Sequence, residues 1–120
     1  MTINKVIEKL GRLKPSAVQD QDIADWLLEL DGRLFAELGM PEDTARPRAW
    51  PEDGDAELCA GAPYEELYVY YALGMVEFHR REYSEYNNSM QLFNDLSANF
   101  RRAWRRAHEP EGAPLTGVWP

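Results

Sequence analysis

Apolar residues recur at helical spacing in four stretches of this chain, and between them the spacing breaks down. In residues 2–13, Ile3, Val6, Ile7, Leu10 and Leu13 fall on one face. Thr2 is placed to cap this first helix, and Lys14-Pro15 closes it because a residue before proline avoids the α region. Residues 20–38 carry a wider stripe of Ile23, Trp26, Leu27, Leu30, Leu34, Phe35 and Leu38. Asp20 is the expected N-cap, Asp22 and Asp25 suit the positive end of the helix dipole, and Gly39 is the expected C′ residue. Gly32 offers a point of close packing.

Residues 63–82 predict a third helix, with Pro63 in the first helical position and Glu65 and Glu66 in the first turn. Leu67 to Val76 contains no charged residue, so this helix is apolar nearly all round. It is either the centre of the fold or has one face against another chain. Tyr64, Tyr68, Tyr70 and Tyr71 suit a core whose edge is wet. Residues 84–107 predict a fourth helix, preceded by a break or kink, with Ser84 as N-cap. Its stripe runs through Tyr86, Met90, Phe93, Leu96, Phe100, Ala103 and Trp104. At 1.5 Å per residue it is about 36 Å long, enough to project beyond so small a globule.

The intervening residues 39–62 contain Pro41, Pro47, Pro51, Gly39, Gly54 and Gly61, a composition that does not sustain a helix. Trp50 within this long loop is read as tucked onto the helices, with exposure for a partner as the alternative. The fold expected is all-α: a small bundle of about four helices in a single domain, residues 1–108, with the loop 39–62 and an extended C-terminal tail, residues 109–120. The expected core includes Trp26, Leu30, Leu67, Tyr71, Phe78, Phe93, Phe100 and Trp104.

The chain has 120 residues and a net charge of −8, unevenly spread. Residues 1–19 carry Lys5, Lys9, Arg12 and Lys14 against Glu8, and residues 20–66 carry fourteen acids against three arginines. The last helix ends in Arg101, Arg102, Arg105 and Arg106. Each patch alone is what a solvated helix face looks like, but together they make a dipolar chain able to pair head to tail. The arginines interleave with aromatics in FRRAWRRAH, a pattern that contacts phosphates in nucleic-acid binders. The acidic whole and the lack of a helix-turn-helix favour a simpler reading, with the arginines balancing the helix dipole or pairing with the acids.

The inventory for chemistry is thin. No Gly-rich phosphate loop, H-E-x-x-H or C-x-x-C occurs, and His79 and His108 are far apart, so no metal site, cofactor or catalytic set is expected. A small helical enzyme is therefore the weakest of the functional readings. Cys59 is alone, so no intrachain disulfide forms; it reads as a small buried hydrophobe in a reducing compartment. No stretch approaches the ~20 apolar residues of a membrane span, and the first fifteen residues lack the apolar segment of a signal peptide. Asn87-Asn88-Ser89 matches a glycosylation sequon but falls within a predicted helix.

Three stretches, DIADWLLELDGRLF (22–35), DAELCAGAPYEELYVYYALGMVEF (55–78) and EYSEYNNSMQLFNDLSANFRRAW (82–104), resemble the head–tail connector (adaptor, or head-completion) proteins of tailed bacteriophages. The most specific pieces are Pro63 to Tyr68 and Glu85 to Ser89 followed by Phe93-Asn94. The resemblance spans about two-thirds of the chain; residues 39–54 and those past His108 match nothing in it.

The resemblance implies a helical virion protein without catalytic residues. Such proteins assemble as a ring, commonly twelvefold, on the portal protein. They extend the channel through which DNA passes as non-specific cargo, and they dock a head–tail stopper or other tail-completion protein. It implies a location at the head–tail junction of the virion, after synthesis in the bacterial cytoplasm. The candidate partner interface is then Arg101, Arg102, Arg105 and Arg106 with Leu115, Val118 and Trp119 of the tail. An acidic chain suits this role if acids face the channel, where they repel DNA phosphates. The competing reading, from charge alone, is a small acidic regulatory or inhibitory protein that binds a host protein through residues 20–66.

Overall fold

The computed structural model describes residues 1–108. It is all-α, with helices α1 (Ile3–Leu13), α2 (Asp20–Glu37), α3 (Leu67–His79) and α4 (Tyr83–Ala107). Leu115, Val118 and Trp119 lie outside the described residues.

Helix α3 is the centre of the fold. It packs against α1, α2 and α4, whereas the α4 backbone lies close to α3 alone among the helices and reaches α2 through side chains, Arg101 and Arg105 to Glu37. This accounts for the uncharged run from Leu67 to Val76. Leu67, Tyr68, Val69, Ala72 and Val76 are buried, and together with Ile3, Val6, Leu10, Leu27, Leu30 and Leu34 they form the core. Burying each such side chain contributes about 1.5–3 kcal/mol. Gly74 lets α4 lie close, since a Cβ there would stand 2.6 Å from the Met90 sulfur. Helix α4 has 25 residues and α3 only 13, so α4 runs about 18 Å longer than α3 at 1.5 Å per residue, with Phe100 packed on Tyr64 and Arg101 paired to Glu37 along the extra length. The described molecule measures 56 × 34 × 19 Å accordingly.

The helix ends show which local signals held. Thr2 caps α1, its hydroxyl accepting from the Lys5 amide at 3.2 Å. Helix α2 stops in a Schellman motif, with Gly39 at φ 61° donating to Ala36 O and the Met40 amide donating to Phe35 O. Helix α3 ends the same way with Arg81 at φ 60° in the glycine position; the Glu82 amide reaches back to Glu77 O at 2.9 Å. A non-glycine residue there costs about 1 kcal/mol. The α3–α4 junction is thus a tight turn rather than a kink.

Three expected start signals are displaced. Asp20 and Ser84 lie inside their helices, whose N-caps are Gln19 and Glu82 without side-chain capping bonds. Pro63 does not open α3; residues 63–66 form turns, and the helix begins at Leu67. Tertiary contacts claim this segment, because Tyr64 packs on Phe100 and Glu66 pairs with Lys9 of α1 at 2.8 Å. Gly32 has no packing role, since a Cβ there would meet nothing nearer than an Arg46 nitrogen at 4.0 Å.

Of the expected core residues, Leu30, Leu67, Phe93 and Phe100 are buried, and Trp26, Tyr71 and Trp104 are half-buried against the core. Phe78 is not core: it is 49% exposed at the last turn of α3. The loop 39–62 is irregular but closely held. Leu58, Ala60, Met40 and Pro47 are buried, the Asn4 amide donates to Gly54 O, and the Trp50 indole is tucked in, donating to Asn4 Oδ1 at 2.9 Å.

Candidate functional site

Three groupings of polar and aromatic side chains stand out from the packed core. The first is buried. Asp31 sits on the inner face of α2 with no exposed surface. Its carboxyl accepts from the Tyr68 hydroxyl (2.6 Å), the Cys59 amide (3.0 Å) and the Cys59 thiol (3.3 Å). The Tyr68 hydroxyl in turn accepts from the Ala60 amide at 2.8 Å. Burial, reinforced by Asp31, pushes the Cys59 thiol up to about 12 and raises the Tyr68 hydroxyl as well. A thiol so placed stays protonated at neutral pH and is a poor nucleophile. The cluster therefore fastens the end of the loop to α2 and α3. Cys59 is half-buried rather than buried, and it is a hydrogen-bond donor as well as a small apolar group.

The second grouping holds the α3–α4 turn. Glu77 is buried, accepts from the Ser89 hydroxyl of α4 (2.6 Å) and pairs with Lys14 (3.0 Å). Lys14 also pairs with Glu82 (3.0 Å), which meets Arg80 at 3.2 Å. These bonds tie α1 to both arms of the hairpin. Hydrogen bonding to Glu82 and Glu77 raises Lys14 above its ordinary 10.5, and hydrogen bonding to Lys14 lowers Glu82 below its ordinary 4.5. The Glu82 contribution to stability is present above about pH 4.5 and fades as pH falls below it; the Lys14 contribution is present below pH 10.5 and fades above it. Lys14→Met is expected to flatten the acid limb of the stability–pH curve, as read by urea midpoints from pH 3 to 7 in about half-unit steps. An unchanged acid limb would remove this network from the pH response.

Around that turn lies a run of aromatic rings. Trp26 stands 5.2 Å from His79, which stands 6.1 Å from Phe78, and Phe78 stands 5.8 Å from Tyr83 and 5.3 Å from Tyr86. Tyr83 is 52% exposed and Phe78 nearly as much. This surface departs from the expected core, which includes Phe78; Tyr86, on the apolar stripe of the fourth helix, is half-buried beside it.

The third grouping is the arginine end of α4. Arg101 grips Glu37 of α2 with Nε at 2.6 Å and Nη2 at 3.3 Å, and Arg105 reaches the same carboxylate at 3.5 Å. Arg102 bonds Asn99, and Arg106 is exposed with no ion pair among the described residues. Trp104 stacks flat on His108, 3.6 Å apart. Two of the four arginines are thus paired within the chain, as the simpler reading of the charge held, and Arg102 and Arg106 point outward.

Among the described residues, no three His, Cys, Asp or Glu side chains are grouped to hold a metal ion, and no helix is long and apolar enough to cross a membrane. No protein-family model, curated protein or solved structure matches the chain.

Proposed function

We propose that the chain is a structural virion protein, a head–tail connector that assembles as a ring on the portal protein, extends the DNA channel and docks a tail-completion protein. The observation that carries the reading is the exposed arginine end of α4. A 25-residue helix supported by a 13-residue partner presents Arg102 and Arg106 clear of the core. An exposed cationic helix end suits docking onto an acidic partner surface. The three stretches that resemble connector proteins fall on α2, on the segment leading into and through α3, and on α4, so they trace the helices that make this shape. In this reading DNA passes as non-specific cargo, and copies of the chain are partners as well as the portal.

The test is co-sedimentation of the full chain with a tailed-phage portal protein from the same genome, with copies per portal counted by mass. Many copies per portal ring are expected. Arg102→Glu with Arg106→Glu is expected to weaken binding about tenfold or more while leaving the helix content unchanged. No binding to any neighbouring structural protein would overturn the reading. The exposed acids Asp22, Asp25 and Glu29 on the outer side of α2 would then favour a regulatory protein that binds a host factor.

A further inference from the structure

The aromatic run at the α3–α4 turn has no occupant among the described residues. Phe78 stands within about 6 Å of the His79, Tyr83 and Tyr86 rings by centroid, and Trp26 stands behind His79, so the five rings form one connected, branched cluster. Arg81 adjoins it, exposed and without an ion pair among the described residues. Exposed aromatic rows recognise proline-rich segments, whose fixed backbone loses little entropy on binding. Such a segment exists in the chain itself. Residues 109–120 read EPEGAPLTGVWP, with acids at Glu109 and Glu111, prolines at Pro110, Pro114 and Pro120, and apolar groups at Leu115, Val118 and Trp119. Its composition complements the surface twice: acid against Arg81, and proline with tryptophan against the rings.

Reach decides which molecule supplies it. Tyr86 and Arg81 are at the start of α4 or just before it, and His108 follows its end. The helix separates Tyr86 from His108 by about 33 Å and Arg81 from His108 by about 40 Å. Leu115 is seven residues past His108 and extends at most about 25 Å; Glu111 extends at most about 11 Å. Neither can meet the rings or Arg81 of its own chain; Trp119, eleven residues past His108, spans the about 33 Å to Tyr86 only with the tail drawn out almost fully, which leaves Glu111 far from Arg81. Both can meet those of another.

We propose that residues 109–120 of one copy occupy the aromatic cluster of a second copy, with Glu111 toward Arg81 and Leu115 to Trp119 across Phe78 and Tyr83. The contact joins two different surfaces, the end of one α4 to the start of the next, so it is heterologous: it repeats from copy to copy and makes a ring where the rotation closes. It deepens the connector reading and rests on it for its purpose, but not for its chemistry.

The experiment places a photo-crosslinking phenylalanine analogue at position 119 of the full chain. Nitrogen-15-labelled and unlabelled protein are mixed at high concentration, irradiated and mapped by mass spectrometry. Adducts between chains on residues 78–86 are expected. Phe78→Ser with Tyr83→Ser, both at exposed positions, is expected to reduce them about tenfold. Arg81→Glu is expected to weaken them and Glu111→Arg in the other copy to restore them. Adducts confined within one chain, adducts elsewhere, no adducts, or adducts indifferent to these substitutions would overturn the proposal. No portal is present in this assay. Lost cross-links with retained portal co-sedimentation would overturn the tail contact alone. Retained cross-links without portal binding would overturn the connector reading and leave the tail contact standing.

Discussion

Asp31→Ala is expected to destabilise the protein by about 3–5 kcal/mol, because each buried partner left unsatisfied costs about 1–3 kcal/mol. The Cys59 amide and the Tyr68 hydroxyl both lose their acceptor, in a place without exposed surface for water to replace it. Asp31→Asn keeps one carbonyl oxygen for the Tyr68 hydroxyl and is expected to cost less, about 1–2 kcal/mol. Urea unfolding reads the difference: the midpoint falls in the order wild type, Asn, Ala, at a nearly constant slope. A loss under about 1 kcal/mol for the alanine variant would mean that the loop is held by Leu58 and Ala60 burial alone.

Phe100→Ala is expected to cost about 3–5 kcal/mol, the range for truncating a buried aromatic side chain. Phe100 is 5% exposed and its ring lies 5.9 Å from that of Tyr64, in the turn leading to α3. It is the last buried residue of α4, so its loss should loosen the turns that carry Arg101 to Arg106. Thermal unfolding gives the stability, and amide exchange in residues 101–107 gives the loosening. Leu92→Ala, at a half-exposed position on the outer face, is expected to change stability by less than about 0.5 kcal/mol. A Phe100 variant as stable as the Leu92 variant would mean that the end of α4 stands without its ring contact.

The helices were legible because their apolar spacing is regular and because Thr2 and Gly39 use strong local chemistry. The start of α3 was not, since Pro63 fits a first helical turn on local grounds while Tyr64 and Glu66 are spoken for by residues distant in sequence. Arg81 in a left-handed conformation gives no signal, because nothing about arginine favours it. Asp31 looked like one acid among fourteen. Its position was the available clue: Leu27, Asp31 and Leu34 follow the same three-four spacing, so an acid there has to face inward. Phe78 shows the opposite error, an apolar residue at helical spacing that faces out because the helix ends one residue later. The arginine end of α4 was visible as composition, but which arginines are free depends on Glu37, 64 residues away from Arg101.

The central place of α3 has a consequence for how the chain is born. Helix α1 finds its partners late, since Lys9 meets a residue 57 positions on and Lys14 one 63 positions on. Synthesis at about 5–20 residues per second therefore leaves α1 and α2 with only each other to cover their apolar stripes for seconds before α3 emerges. Helix α4 has no such delay, because its support precedes it by a three-residue turn. During that interval the exposed acids Asp22, Asp25 and Glu29 of α2 add like charge that opposes association between neighbouring nascent chains.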